Sequence, residues 1–593
     1  MTRIDSPLEI PTPNSNAVSI RTLVVMIVAA LLSLIIWIGF GVIMWRGYPG
    51  EHPGGRIISL ALGLSVQVVL LSIARLAVTS TKASVPILCT AVVCWSIARL
   101  VTTSLFPLGG DEAYHWMWAK HLDLCYYDHP AMVAWLARLL APSNGQAIVW
   151  VRLSSVVIGA AMPLMVYLLA SRTILSRIEA VWAALLYMLV PVFSGTVFLI
   201  PHVPLGFFWL LSLIFLWRAL LLGKWFDWLF LGLAYGGAIN CNFIAFLLPL
   251  CAALYALVSR NDRRLLLSPG PYIAILIAGM CCLPMLLWNQ RHDWVTFRFN
   301  FTSRHHSLAF HPSSAAAYLL QLLVLLSPVL AIGIVRFGIP QFCLALMKKK
   351  RAILFLICLG FGPILAFFLT SCLLKPRAHY ATPGFVPLLI LFIYGCSRAM
   401  NRQREQWPAK WYKYTIYPAL AMSMIFFAAL LVPAMASPGL AFKVLNRLSP
   451  KVAEKRTAEL YGWPALGRYL DAQPERMNAT SNTIVFAPSY AQASLAAYYA
   501  RTVDFVYSLD EGRSPYGQQF SMWATLNNLP RGRNAILFHA GPLSNPTEYL
   551  REWRRRFQRV EIDRIAEVQV DPLLKSFVII RSYGYSGHGL PIR

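Results

Sequence analysis

Residues 226–259, "FDWLFLGLAYGGAINCNFIAFLLPLCAALYALVS", form either one long apolar helix or two short ones broken near "GGAINCN". The choice decides the architecture, because it sets the side of a membrane on which every later segment lies. That a membrane is involved follows from composition. Only 13% of residues are charged and 58% are hydrophobic, with a mean hydropathy of +0.57. Soluble chains carry about 25% charged residues. Several apolar runs reach the roughly 20 residues that cross a bilayer. Outside 226–259 we read spans at 21–45, 56–78, 85–106, 152–171, 178–199, 203–222, 271–288, 315–337, 352–373, 379–396 and 415–434. Basic loops gather on the cytoplasmic side. The segments "RNDRR" (260–264), "KKKR" (348–351) and "RAMNRQREQWPAKWYK" (398–413) share one side only if 226–259 crosses twice. The expectation is therefore two helices, 226–241 and 243–259. It gives a polytopic α-helical membrane protein with about thirteen spans, its N-terminus cytoplasmic and its tail on the outer face.

This reading divides the chain into a two-helix membrane extension (1–84), a transmembrane core (85–434) with an outer loop at 107–151, and a tail (435–593). The tail has ordinary composition. Its runs "NTIVFAP" and "KSFVIIRS" read as strands and its runs at 464–472 and 546–558 as helices, which makes a small C-terminal α/β domain. The first apolar run, from Leu23 to Trp45, is longer than a signal-peptide core and is read as an anchor.

The formal net charge of +27 raises the question of a nucleic-acid partner. The Lys and Arg residues sit in short loops between apolar runs, where they favour anionic lipid headgroups, so membrane lipids are the expected partners and nucleic acid is not. No Gly-rich phosphate loop is present, which argues against ATP-driven transport.

The polar residues collect in the segments read as outer. Loop 107–151 opens with "GGDEAYHWMWAKHLDLCYYDHPAMVAW" (109–135). Asp111 and Glu112 follow directly on a membrane span. A carboxylate there can deprotonate a hydroxyl arriving from water or from lipid, or Asp111 can simply cap a helix. The aromatics of this loop suit both a membrane interface and a sugar ring. Tyr114, Trp118, Tyr127, Asp128, His129 and His292 are the substrate-binding candidates. Asp128-His129, with Glu112 and His202, combines carboxylate and imidazole and is the candidate set for a divalent metal. Loop 289–314 and the turn at 375–380 are cationic against the positive-inside trend, which calls for an anion. Arg298, Arg304, Lys375 and Arg377 are the candidates to hold a lipid phosphate.

Three motifs carry a resemblance. "DEAYHWMWAKHLDLCYYDHPAMVAWLARL", "LPMLLWNQRHDWVTFRFNFTSR" (283–304) and "ELYGWPALGRYL" (459–470) resemble the bacterial branch of the protein-O-mannosyltransferase and aminoarabinose-transferase-like group, within the GT-C membrane glycosyltransferases. The likeness runs over about residues 85–593. It implies a GT-C fold, a polyprenyl-phosphate sugar donor used on the outer face of the bacterial cytoplasmic membrane, and inversion at the anomeric carbon. It implies Asp111 as the catalytic base, with Glu112 beside it, and a divalent metal as compatible but not required. The implied acceptor is a lipid, a glycan or a protein hydroxyl. Two positions depart from the family pattern. His202 stands where an acid is common, and Asn242-Phe243 stands where Lys-Tyr is common.

The rival class is a transporter or flippase of lipid-linked sugars. Transporters place ionisable groups at mid-membrane and carry internal repeats. Here the charges sit at helix ends and no repeat is visible. Reporter fusions made after Ser437 and before Arg21 test the topology: the first is expected to report from outside the cytoplasm and the second from within. A cytoplasmic signal after Ser437 would overturn the topology.

Overall fold

The computed structural model describes most of the chain between residues 84 and 586, with breaks, the longest at 337–349 and 403–459. The extension at 1–84 and the spans expected at 21–45, 56–78 and 415–434 lie outside the described residues, apart from Ser84 itself. Among the described residues five helical segments are long and apolar enough to cross a membrane: Ile148–Thr173, His202–Leu222, Pro269–Arg291, Arg351–Ser371 and Ala378–Arg398.

The stretch 226–259 is two helices. Trp225–Ile239 stops at a turn over Asn240–Asn242, and the chain resumes through a single 3₁₀ turn, Phe243–Phe246, into Leu247–Val258. Asn242 starts the second half: its side-chain oxygen accepts the Ile244 amide at 3.0 Å, the role Asn performs best at helix starts. Phe243 packs on Phe246, Phe297 and Phe301. Both residues that depart from the family pattern at this point therefore have packing and capping work.

The span expected at 178–199 is interrupted. Helix Arg177–Leu189 ends before Pro191, because proline supplies no amide to the preceding turn and disfavours helix in the residue before it. The chain makes one further turn at Pro191–Ser194. It then brings Leu199, outside any helix, into the polar site described below.

The tail contains a sheet in the order β2-β1-β3-β6-β4, with β5 paired to β6. The strands are β1 Thr483–Ala487, β2 Val506–Ser508, β3 Asn534–Ala540, β4 Phe557–Asp563, β5 Glu567–Val570 and β6 Leu573–Tyr585. Strands β1, β2 and β3 are parallel, and β6 runs antiparallel to β3 and β4. Both expected strands are present. The run 546–558, expected as helix, already contains the start of β4 at Phe557. Helices Trp463–Asp471 and Tyr490–Tyr499 cover one face. Their core is continuous with the loop: Tyr114, Trp116, Met117 and Trp118 share one apolar cluster with Trp463, Val485, Ala496 and Phe538. The loop from 107 and the sheet thus share one packed core.

Trp463 is central to that body, buried to 1% exposure and edge-on to Phe577 at 5.5 Å. Trp463→Ala should lower the thermal midpoint of the purified protein, with a cavity cost of about 3–5 kcal/mol. Trp225→Ala, which removes a ring that is 68% exposed, should leave it nearly unchanged.

Candidate active site

The site is built on helix Gly110–Lys120, which follows Ser84–Thr103 in the chain. Two acids in its first turn suit the positive end of the helix dipole. They face opposite ways. Glu112 is buried and Asp111 is exposed.

Glu112 is fully committed. Arg152 grips it with two hydrogen bonds, Nε to Oε1 at 2.8 Å and Nη2 to Oε2 at 2.5 Å. Its carboxylate also accepts the Leu199 amide at 3.0 Å and the Gly109 amide at 3.2 Å. The Arg152 side chain has no solvent exposure. One carboxylate therefore ties together the loop helix, helix Ile148–Thr173 and the segment after Pro191. The adjacent His115 donates through Nδ1 to the Leu199 carbonyl, 2.9 Å away. Burial holds this imidazole below its usual range, against the opposing pull of Asp111, the Leu199 carbonyl and Glu112. The neutral ring is thereby favoured, and the carbonyl partner fixes its proton on Nδ1.

Asp111 has a single hydrogen bond among the described residues, from the Tyr490 hydroxyl to Oδ1 at 3.0 Å. No described hydrogen bond reaches Oδ2, and the residue is exposed. From Asp111 a series of contacts runs on through the site. The Tyr490 ring lies 4.9 Å from Tyr114. The Tyr114 hydroxyl donates to Asp128 Oδ2 at 2.5 Å, and the Gly517 amide donates to Oδ1 at 3.3 Å. Burial, and then the Asp128 charge, push the Tyr114 phenol well above its ordinary range, so it donates as a neutral phenol. Next to Gly517, Tyr516 accepts from Arg377 Nη2 at 2.9 Å, while Nη1 donates to Tyr380 at 2.7 Å. Tyr380 stacks on His202 at 5.3 Å, three residues beyond Leu199.

The aromatic candidates line this series or brace it. Trp118 stacks on Tyr126 at 4.5 Å with its indole fully buried, so it supports the loop instead of presenting a face to a sugar. The Tyr127 amide donates to Gln519 Oε1 at 2.7 Å and its ring packs on Phe299. Arg298 is exposed, and its charge reaches the Tyr127 phenol, opposing part of the rise that burial causes there. His292 stacks on Trp288 at 4.0 Å, at the end of Pro269–Arg291, and no described contact joins it to Asp111 or Asp128. Lys375 and Arg304 lie outside the described residues.

The metal set does not assemble. Glu112 is held by Arg152, Asp128 receives a phenol and an amide, and His202 stacks on Tyr380 beside His379. Among the described residues no three His, Cys, Asp or Glu side chains converge as ligands. Glu112, Asp128, His129 and His202 are therefore not brought together as a ligand set among the described residues. Arg152, Tyr490, Tyr516 and Gly517 are site residues that sequence reasoning missed. Only Arg152 left a signal, as a lone charge at the start of an apolar helix.

The family model described as dolichyl-phosphate-mannose-protein mannosyltransferase matches residues 128–288. A lipid A galacturonosyltransferase of Rhizobium johnstonii is 32% identical over 200 residues, 33% of this chain and 41% of its own. An undecaprenyl phosphate-α-4-amino-4-deoxy-L-arabinose arabinosyl transferase of Pseudomonas paraeruginosa is 34% identical over 204 residues, 33% of this chain and 36% of its own. The chain thus spans about two fifths, or less, of the length of these relatives. The solved structure of ArnT from Cupriavidus metallidurans bound to undecaprenyl phosphate superposes with a TM-score of 0.55, covering 86% of this chain and 100% of that one at 16% identity. Its apo form gives 0.53. The fold is therefore the GT-C membrane fold, and the likeness read from the three motifs is borne out.

The Glu112–Arg152 pair gives a stability prediction. Glu112→Gln keeps the side-chain shape but strands a buried guanidinium. It should destabilise the protein by about 3–5 kcal/mol, read as a lowered thermal midpoint. An unchanged midpoint would show that the pair is dispensable.

Proposed function

We propose that the chain is an inverting glycosyltransferase that moves a sugar from a polyprenyl-phosphate donor to a hydroxyl acceptor on the outer face of the bacterial cytoplasmic membrane. One observation carries the reading. An aspartate with one oxygen held and the other open shares a series of contacts with an arginine whose described hydrogen bonds go only to phenols. The first is suited to take a proton. The second keeps its charge for an anion.

In this reading Asp111 Oδ2 accepts the proton of the acceptor hydroxyl as its oxygen attacks the anomeric carbon. The bond from that carbon to the phosphate oxygen breaks, and polyprenyl phosphate leaves. Arg377, fixed by Tyr380 and Tyr516, faces the charge that develops on the phosphate, with Arg298 nearby at the rim. Preorganised cations of this kind stabilise a leaving group more than a solvated charge can. Undecaprenyl phosphate is the donor carrier we favour, and lipid A the acceptor, because the similar transferases are named for them. The division into extension, core and outer domain, and the inward N-terminus, belong to the same proposal.

Single-turnover transfer by purified protein, with undecaprenyl-phosphate-linked galacturonic acid or 4-amino-4-deoxy-arabinose as donor and lipid A as acceptor, tests the assignment. Asp111→Asn should slow transfer by about 10²–10⁴-fold, the usual worth of a general base, while undecaprenyl phosphate still binds. A wild-type rate in this variant would remove Asp111 as the base.

A further inference from the structure

The hydrogen bond on Asp111 comes from a residue 379 positions away in the chain. We propose that Tyr490 is a positioning residue: its hydroxyl locks the Asp111 carboxylate with Oδ1 occupied, so that Oδ2 alone is presented to the acceptor. This rests on the reading of Asp111 as the base.

Three features hold Tyr490 in place. It is the first residue of helix Tyr490–Tyr499, whose start is fixed by Ser489 accepting the Gln492 amide at 3.4 Å. That helix lies directly against the loop helix. A Cβ on Gly110 would come within 2.7 Å of the Ala491 Cβ, so only glycine permits the approach. The tyrosine ring packs against both Tyr114 and Gly517. Gly517 has φ +76°, and a Cβ there would fall 2.2 Å from the Tyr490 ring. Left-handed backbone at that position favours glycine on its own account, and the missing side chain is the space the ring occupies.

The hydroxyl does something that the ring does not. A phenyl ring would pack equally well against Tyr114 and Gly517. An aspartate side chain on an exposed helix start samples several rotamers. A donor fixed by the outer sheet selects one of them. The same turn of chain supplies the Gly517 amide to Asp128 and Gln519 to Tyr127. The sheet unit thus completes the site and is not merely attached beside it.

Tyr490→Phe removes the hydroxyl and keeps the packing. It should lower the single-turnover rate about tenfold, the rate equivalent of one hydrogen bond to a charged group, with undecaprenyl phosphate affinity and thermal midpoint unchanged. Gly517→Ala, which displaces the ring, should slow transfer at least as much. In an Asp111→Asn background, Tyr490→Phe should cost nothing further, because both changes act through one carboxylate. Tyr490→Phe at the wild-type rate, with Asp111→Asn slow, would overturn this inference and leave the base assignment standing. Fully additive losses in the double variant would also overturn it. Asp111→Asn at the wild-type rate, or no transfer from either donor by the wild-type protein, would remove both readings.

Discussion

The buried Glu112–Arg152 ion pair fixes the geometry on which everything else rests. Taking two charges out of water is costly, and such a pair persists only with close geometry and further hydrogen bonds. Here Leu199 and Gly109 supply those bonds. Because the partners come from three separate segments, satisfying one carboxylate sets the start of the loop helix relative to the membrane helices. Asp111, one residue earlier, is consequently turned outward. The adjacent acids divide the work that the pair could have shared: one holds the scaffold and the other stays exposed, free for the role proposed for it.

The second constraint is the apolar core common to the loop and the sheet. Membrane helices packed in lipid gain little from hydrophobic burial against one another, whereas the loop from 107 buries Trp116, Met117 and Trp118 against the tail. The aromatics that looked like sugar platforms in the sequence are largely spent in this way. Trp118 is the plainest case, flat against Tyr126 and shielded from the site. The phenols at the rim of the site do polar work instead, as Tyr114 does on Asp128 and Tyr380 and Tyr516 do on Arg377.

How much of this was legible depended on the range of the interaction. The break in 226–259 was readable because Gly, Asn and the basic loops are local signals, and the strands β1 and β6 because their apolar runs are continuous. The position of Asp111 was readable as the first acid after a span. What failed was long-range. Pro191 hinted at a helix end, yet nothing in the sequence announced that Leu199 would be drawn to Glu112. Arg152 was counted within a span, and Tyr490 sat unremarked in an ordinary tail. The metal set was a composition argument, and composition does not bring side chains to a common point.

The distance in sequence between Asp111 and Tyr490 has a consequence for how the protein comes into being. A chain is made from its N-terminus and released progressively. The carboxylate is in place, and its membrane scaffold can close, long before the tyrosine that orients it has been synthesised. If Asp111 is the base proposed above, an incomplete chain would carry a proton acceptor with no fixed aim. On the proposed reading, competence would arrive late, when the helix that carries Tyr490 packs against the loop.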